Sequence, residues 1–518
     1  MNKRKKLPIS ISTFSNLING NYIYVDKTQY IYRIVNQGGA FFLSRPRRFG
    51  KSLLVSTLKE IFLGNKELFK DCWIYDKIAW EKYTVLHMDF SEVFAQATGI
   101  YQALTDMLHR QARENAVQIE GNSIPGLFLD LIQKLSKNKP IVILIDEYDK
   151  PITDYLDNPE KAEEHRSVLK PFFGLLKSQE RNIRFLFMTG VSRFSRLSVF
   201  SDLNHLADIT FNSDFIKLLG YTSEEIEFYF ADYIEEYSTT VPDYSRETLF
   251  MKLKDFYNGY SWDGETFVYN PVSITHFFAE KKFKSFWFAT GTPSMLIKMA
   301  RLKSVDVRSL ESLVVDESFF NSFDVSMIDI DLLLFQTGYL TIKRQKDDAY
   351  FLSYPNREVE QAFTKHLLAE FAGQPPKVFN NLGSEIQNAL RMNDISYFIE
   401  QMKTFLAAIP YNLVTSEAEK YYHLVFYLVL KTAMGKVSPE HPTSRGRIDM
   451  VVKTDLYIYI IEFKLGNGEK ALQQIKDKRY YEQYLGKGKK VILLGIGFSP
   501  ELRNIDDYTQ EEANPISA

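Results

Sequence analysis

A single cysteine, Cys72, stands among 518 residues. No intrachain disulfide and no cysteine-based zinc site can therefore be assembled, a usage that fits a reducing compartment. The eight histidines are scattered without an HExxH or HxxxH pair, which removes the usual helical spacing for a catalytic zinc. Long hydrophobic runs are missing too. The most apolar stretches, Leu424 to Leu430 and Leu456 to Phe463, fall far short of the ~20 residues of a membrane span. The expectation is a soluble, cytoplasmic protein with no membrane partner. Charge of one sign is also lacking: 63 Lys plus Arg meet 65 Asp plus Glu, so contact with nucleic acid would have to come from a local patch. Lys3-Arg4-Lys5-Lys6 precedes Leu7-Pro8 rather than an apolar segment, which reads as a frayed, solvated tail and not a secretory signal. No internal repeat or low-complexity block is evident.

What is present is ordinary globular composition, 45% hydrophobic and 25% charged, in a chain long enough for two to four domains. Short β-rich runs, Ala40 to Leu43, Thr84 to Met88, Ile141 to Ile145, Arg184 to Met188 and Ala207 to Phe211, alternate with helical patterns. That alternation predicts a parallel sheet covered by helices. Tyr22 to Val25 reads as a short strand, and Asp26-Lys27-Thr28 as the cap of a helix ending at Gly38-Gly39. Residues from Ser213 to Phe283 turn mainly helical around the turn-rich stretch Tyr257 to Gly264, as a lid or accessory region would. Met327 to Gln336, Tyr339 to Lys343, Tyr350 to Tyr354 and a helix after Pro355 form a helix, hairpin, helix series compatible with a winged helix. Gly373-Gln374-Pro375-Pro376 marks the last boundary. The division read from this is 1–212, 213–375 and 376–518.

Ser44 to Ser52, Ser-Arg-Pro-Arg-Arg-Phe-Gly-Lys-Ser, runs from an apolar strand into the helical pattern Leu53 to Phe62. This is the setting of a P-loop: the backbone of Arg48, Phe49 and Gly50 and the helix N-terminus cradle phosphate, Lys51 reaches the β/γ oxygens, and Ser52 ligates Mg²⁺. Arg45 occupies the position where the full pattern has glycine, followed by a proline with no amide to donate. The run Ile141 to Glu147 delivers two acids at a buried strand end. Asp146 would hold Mg²⁺ through water and Glu147 would orient the attacking water. Arg184 to Thr189 is another buried strand ending in a hydroxyl, followed by Ser192, Arg193 and Arg196. Thr189 suits a γ-phosphate sensor, and either arginine could stabilise transition-state charge. The bland alternatives are a capping Asp146, an ordinary strand end at Thr189 and surface arginines; the order of all three segments favours the P-loop.

Toward the other end, Arg447 to Lys453 and Leu456 to Lys464 form two β-rich runs joined by Thr454-Asp455. A two-residue hairpin turn there pairs residue 449 with 460 and sets Asp449 diagonal to Glu462, with Lys464 on the same face. A helical stretch, Glu469 to Tyr484, and a strand, Val491 to Gly495, follow; upstream, Ser416 to Met434 reads as a buried helix with Glu419 in its first turn. Two carboxylates and a lysine on one face are what metal-assisted phosphodiester hydrolysis uses. Asp449 and Glu462 would hold Mg²⁺, Glu419 would complete the shell, Lys464 would steady the nucleophile or developing charge, and Gln474, with Tyr480, would orient the phosphate or the lysine. The alternative is a surface hairpin with a cross-strand ion pair, which explains poorly an acid inside an apolar run.

The segments Tyr24 to Thr28, Arg45 to Ser52, Ile145 to Asp149, Thr189 to Ser195, Gln336 to Leu340, Gly446 to Asp449 and Glu462 to Lys464 resemble those of a family of bacterial and archaeal proteins. In that family an AAA-ATPase-like N-terminal region is joined to a C-terminal nuclease of the PD-(D/E)XK superfamily. The resemblance implies an α/β multidomain chain, a P-loop NTPase sheet with a helical accessory region followed by a restriction-endonuclease-like α/β domain. Asp449, Glu462 and Lys464 match its signature with twelve residues between the acids, and Glu419 matches its helical acid. The family carries arginine at the position of Arg45, so that residue does not by itself imply an inactive loop.

The function expected is an AAA-type ATPase that binds ATP and regulates or drives a Mg²⁺-dependent nuclease acting on nucleic acid, DNA before RNA. The alternatives are a nucleotide-controlled switch whose last domain binds nucleic acid or a protein without cutting, and a scaffold with both sites vestigial. Whether the chain forms an oligomer is not specified by its sequence.

Overall fold

The structure is a computed structural model. It describes residues 4–91, 99–193, 206–241, 245–289, 294–302, 307–321, 329–413, 418–435, 437–443 and 446–513, without the side chains of residues 289, 294, 302, 321, 412, 418, 419 and 440–443. The chain divides into one unit of Met1–Thr292 with Leu310–Val359 and another of Pro293–Ser309 with Glu360–Ala518.

In the first unit, β1 (Gly39–Ser44), β2 (Val85–Asp89), β3 (Ile141–Asp146), β4 (Ile183–Gly190) and β5 (Ala207–Asp208) form a parallel sheet in the order β2-β3-β4-β1-β5 among the described residues. Every residue of β3 is buried, as a central strand covered on both faces requires. One strand further on, beyond β4, β1 feeds directly into the helix Lys51–Phe62, and the turn between them lies at the C-terminal end of the sheet, where parallel α/β folds place ligands. The expected strand Ala207 to Phe211 is only two residues long. Tyr22 to Val25 is not a strand: Tyr22 makes one isolated parallel bridge with Lys6. The basic segment is docked, contrary to a frayed tail. Arg4 pairs with Glu236 at 2.7 Å and lies over the Tyr233 ring, and the Lys5 carbonyl accepts from the Tyr233 hydroxyl.

The helices Ser223–Tyr229, Ala231–Thr240, Arg246–Tyr257 and Pro271–Glu280 carry a separate aromatic core built on Phe230, Tyr257, Phe277 and Phe278. β6 (Leu313–Val315), β7 (Thr341–Lys346) and β8 (Ala349–Ser353) make a small sheet in the order β6-β8-β7; the β7–β8 hairpin follows the helix Ile330–Thr337 in the chain and precedes the helix Arg357–Ala372. Met327, expected to begin the first of these helices, lies outside the described residues.

In the second unit β9 (Val437–Thr443), β10 (Gly446–Lys453), β11 (Tyr457–Leu465), β12 (Lys490–Ser499) and β13 (Asn504–Glu512) form a mixed sheet, β13-β12-β11-β10-β9. Only β11 and β12 run parallel, and the crossover between them carries the helix Gly468–Asp477. That helix is shorter than the expected Glu469 to Tyr484. It sits so close to the sheet that a Cβ on Gly495 would come within 2.1 Å of the Gly468 carbonyl, so the strand beneath it must be bare there. β9 and β13 were not expected; their sequences, Val-Ser-Pro-Glu-His-Pro-Thr and Asn-Ile-Asp-Asp-Tyr-Thr-Gln-Glu-Glu, are the polar edges of the sheet and lack an apolar period. Among the described residues, no helix is long and apolar enough to cross a membrane.

Candidate functional sites

The turn after β1 is built from backbone. Gly50 has φ +93° and caps the helix Lys51–Phe62, a left-handed position that glycine adopts without a Cβ penalty. Lys51 is buried, and its Nζ donates to the carbonyls of Arg45 and Pro46 at 3.0 Å each. Burial pulls its pKa down, opposed by the carboxylates of Asp146, Glu147 and Asp149. Asp146 ends β3 at 2% exposure; burial pushes its pKa up to about 6, against a hydrogen bond from Ser52 and the attraction of Lys51. Glu147 follows with φ +49°, so the chain turns sharply and presents its half-buried carboxylate to the cavity while Asp146 stays against Ser52.

That cavity has a volume of about 620 Å³, the size of a nucleotide-scale pocket. Arg47, Arg48, Lys51, Ser52 and Glu147 line it together with apolar side chains such as Ile9, Ile11, Val25, Leu219 and Val272. A triphosphate with Mg²⁺ suits the first group, and the flat face of a base suits the second.

Two expected participants, Thr189 and Arg193, have side chains engaged elsewhere, whereas Phe49 lines the cavity. The Thr189 hydroxyl is fully buried and donates to the Leu43 carbonyl at 2.7 Å, tying β4 to β1 rather than facing phosphate. Arg193 pairs with Asp208 at 2.8 Å and donates to the Phe320 carbonyl. The Phe49 ring packs edge-on against Tyr260 and Trp262, leaving only its backbone for a ligand. Arg196 lies outside the described residues. Arg45 turns inward: it is fully buried, stacks 3.8 Å above the Trp262 ring, and donates to the carbonyls of Ser44 and Thr210. Its side chain thus leaves the loop's inner surface clear, which is the space a glycine would otherwise keep open. One contributor carried no expected role. Asp149, 2% exposed, accepts from the amides of Val191 and Ser192 and so pins the segment after β4 beside the loop. The signal for it was a third acid, close after Asp146 and Glu147 at the end of a buried strand.

The second site lies at the end of β10 and β11. The register pairs Lys453 with Ile458 and Met450 with Ile461, two residues away from that expected of a two-residue turn. Thr454 and Tyr457 close a longer turn through Thr454 N–H to Tyr457 carbonyl, 2.8 Å, and Tyr457 N–H to Thr454 Oγ1, 2.9 Å. A slip of two keeps every side chain on its face, and here it brings Asp449 directly opposite Glu462 instead of diagonal to it. At this point side chains take over from the ladder: the Phe463 amide donates to Asp449 Oδ2 at 2.9 Å and the Asp449 amide to Glu462 Oε1 at 3.3 Å.

Glu462 is fully buried, and its pKa stands well above the carboxylate range, through burial first and then the adjacent Asp449, with which it also shares a hydrogen bond. Gln474 donates from Nε2 to Glu462 Oε2 at 3.1 Å. Lys464 is half-buried, two residues along the same face, and its charge acts on Glu462 in the opposite sense. The Tyr480 hydroxyl occupies the space that a side chain at 446 would need, 2.7 Å from the position of a Cβ there. Glu419 begins the helix Ala418–Met434, and its side chain lies outside the described residues. The structure therefore brings Asp449, Glu462 and Gln474 together. Two carboxylates that must hold a proton between them form a donor set in which a hard divalent cation can take the proton's place, so the residues fit Mg²⁺.

Two family models match the chain: one described as a predicted AAA-ATPase over residues 8–200, and the PD-(D/E)XK nuclease superfamily over residues 417–508. A protein of Azotobacter chroococcum mcd 1, described as an uncharacterized protein in the vnfD 5'region, is 35% identical over 524 aligned positions, which cover 98% of this chain and 99% of that one.

Proposed function

The chain belongs to the family of AAA-ATPase-like proteins with a C-terminal PD-(D/E)XK nuclease domain, and on that basis we propose that it binds and hydrolyses ATP and cleaves DNA in a Mg²⁺-dependent reaction in the cytoplasm. The division of labour runs with 1–212 as the ATPase core, 213–375 as its accessory region and 376–518 as the nuclease. The observation that carries the cleavage reading is the buried pair Asp449 and Glu462, held face to face where the β ladder gives way to side-chain contacts. Without a ligand, a fully buried acid beside another acid has a desolvation and repulsion cost that the amide of Asp449, Gln474 and the charge of Lys464 offset only in part, since the Glu462 pKa stays raised.

Asp449, Glu462 and, from the facing helix, Glu419 would hold Mg²⁺, which supplies Lewis acidity toward a phosphate oxygen and a water of lowered pKa. Lys464 places its ammonium beside the carboxylates to steady the nucleophile or the charge developing on phosphate. Gln474 fixes the rotamer of Glu462 through Oε2. At the other site, Lys51 would hold the β/γ oxygens of a bound nucleotide, Ser52 and Asp146 would hold its Mg²⁺, and Glu147 would orient water.

A second reading, in which nucleotide is bound as a switch and cleavage does not occur, is favoured by one observation: Thr189 and Arg193 are both engaged inside the first unit. One panel separates the readings. Full-length protein with Mg²⁺ or Mn²⁺, with and without ATP, is offered plasmid, single-stranded DNA and RNA, and phosphate release is followed in parallel. Cutting of DNA lost in Asp449→Asn supports the first reading. ATP binding without hydrolysis or cutting on any substrate supports the second.

A further inference from the structure

The nucleotide cavity has one buried ammonium besides Lys51. Lys27, 8% exposed, lines it from the start of the helix Thr28–Gln37. Its Nζ donates to both oxygens of Glu225, at 2.6 and 2.7 Å. Glu225 is itself fixed: Oε2 accepts from the Thr222 amide at 2.8 Å, while the Thr222 hydroxyl accepts from the Glu225 amide, a reciprocal cap on the helix Ser223–Tyr229. Lys27 therefore cannot swing far without giving up the ion pair or drawing Glu225 out of that cap.

The two lysines lie in different surroundings. The charges that act on Lys51 are Asp146, Glu147, Asp149 and Arg47, whereas those acting on Lys27 are Glu225, Lys217 and Asp26. The Nζ of Lys51 is held by the loop carbonyls of Arg45 and Pro46 and that of Lys27 by Glu225, so the two ammoniums enter one cavity from different elements. Apolar Val25 and Leu219 line the same cavity close in sequence to Lys27 and Lys217, and Arg47 and Arg48 accompany Lys51.

The charge state of Lys27 limits what it can recognise. Its positive charge is already matched by Glu225 at close range, so it adds little net attraction for an anion, but an ammonium has three hydrogens and one carboxylate takes two of them. Resting on the ATP reading above, we infer that Lys27 donates its third hydrogen to a neutral acceptor on the nucleoside half of the nucleotide, a ring nitrogen or a ribose hydroxyl, while Lys51 and the loop hold the phosphates. Lys27 would then be a specificity residue, and through Glu225 the same contact would brace the helix Ser223–Tyr229 when nucleotide is bound.

The test compares ATP with inorganic tripolyphosphate, which has the phosphates and no nucleoside, by calorimetry on the full chain. Lys27→Met should weaken ATP by about 10- to 100-fold, the range for a hydrogen bond from a charged donor, and leave tripolyphosphate affinity within about twofold. Because Lys27→Met leaves Glu225 uncompensated, Lys27→Met/Glu225→Gln is measured beside it, with thermal melts of both; the same selective loss is expected. 2′-Deoxy-ATP sorts the acceptor: loss in the variant of the wild type's discrimination between it and ATP identifies the 2′-hydroxyl, and any other pattern assigns the contact to another acceptor of the nucleoside. Equal loss of ATP and tripolyphosphate, or no loss of ATP, overturns the inference while leaving the ATP reading in place. If the wild type binds neither ligand, the ATP reading itself fails, and the inference with it.

Discussion

The two sites start from the same device, a buried strand that delivers an acid where water is scarce, and they diverge in what faces that acid. At the end of β3, Asp146 meets Ser52 and the ammonium of Lys51; within β11, Glu462 meets Asp449. Burial raises both pKa values, but the neighbour at the first site lowers the value and the neighbour at the second raises it further. The first arrangement is close to neutral before any ligand arrives. The second holds a charge imbalance that a proton or a cation must settle. A strand ending in an acid therefore says little by itself; the opposing residue decides whether the acid waits for a nucleotide's metal or demands one.

The largest expected effect breaks the second site. Asp449→Asn or Glu462→Gln should lower Mg²⁺-dependent plasmid nicking by more than about 100-fold, since one carboxylate beside Lys464 holds a hard cation poorly. Thermal stability without metal should rise or barely fall, because a like-charge contact has gone. Full nicking by either variant would move the active site elsewhere.

Next comes the first site. Lys51→Ala should weaken ATP by about 100-fold, as the loop keeps its amides and loses the ammonium placed for the β/γ oxygens. Unchanged affinity by calorimetry would dismiss the P-loop assignment. Glu147→Gln should retain ATP and slow phosphate release by about 10-fold or more; a variant that hydrolyses at the wild-type rate would remove Glu147 from the mechanism.

A subtler comparison uses opposite signs. Replacing Lys51 by alanine removes an attraction, so the Asp146 carboxyl should titrate above its present value of about 6. Replacing Asp449 by asparagine removes a repulsion, so Glu462 should titrate lower than it does now. Carboxyl-carbon NMR titrations read both, and shifts of the same sign would contradict the electrostatic contrast. Stability follows from the same values. Both acids hold a proton in the folded chain at pH values where the unfolded chain has released it, so stability falls as pH rises from about 4 toward the raised pKa values. Added Mg²⁺ should flatten that fall by displacing the proton from Glu462, with proton release detectable as a dependence of calorimetric heat on the buffer; heat independent of buffer would argue that no proton is displaced.

Much of this was legible in the sequence, and the misses have physical reasons. The strands themselves could be located because β3 and most of β1 and β4 are buried and read as unbroken apolar runs, while their order in the sheet was not read. The faces of Asp449, Glu462 and Lys464 were legible because a strand alternates strictly, and even the wrong turn length preserved them. The turn itself was not, because Thr454 closes it with a side-chain oxygen that mimics a tighter backbone turn. Thr189 and Arg193 were misplaced for a related reason: a hydroxyl or guanidinium at a strand end is as well suited to tie neighbouring strands as to meet phosphate, and only the partners, Leu43 and Asp208, distinguish the two. Edge strands β9 and β13 have no apolar period to read.

Arg45 and Trp262 also bear on how such chains change over time. The guanidinium leaves the phosphate-facing side of the loop only because an indole face, from a segment far along the chain, receives it. Loss of the indole would leave a buried cation without its platform, and loss of the arginine would leave the indole over a void, so either change alone meets a penalty that the double change avoids. The two positions should therefore be inherited as a unit. A search pattern that insists on glycine at the head of the loop will pass over this chain, whereas one that asks for arginine there together with a distant tryptophan keeps it.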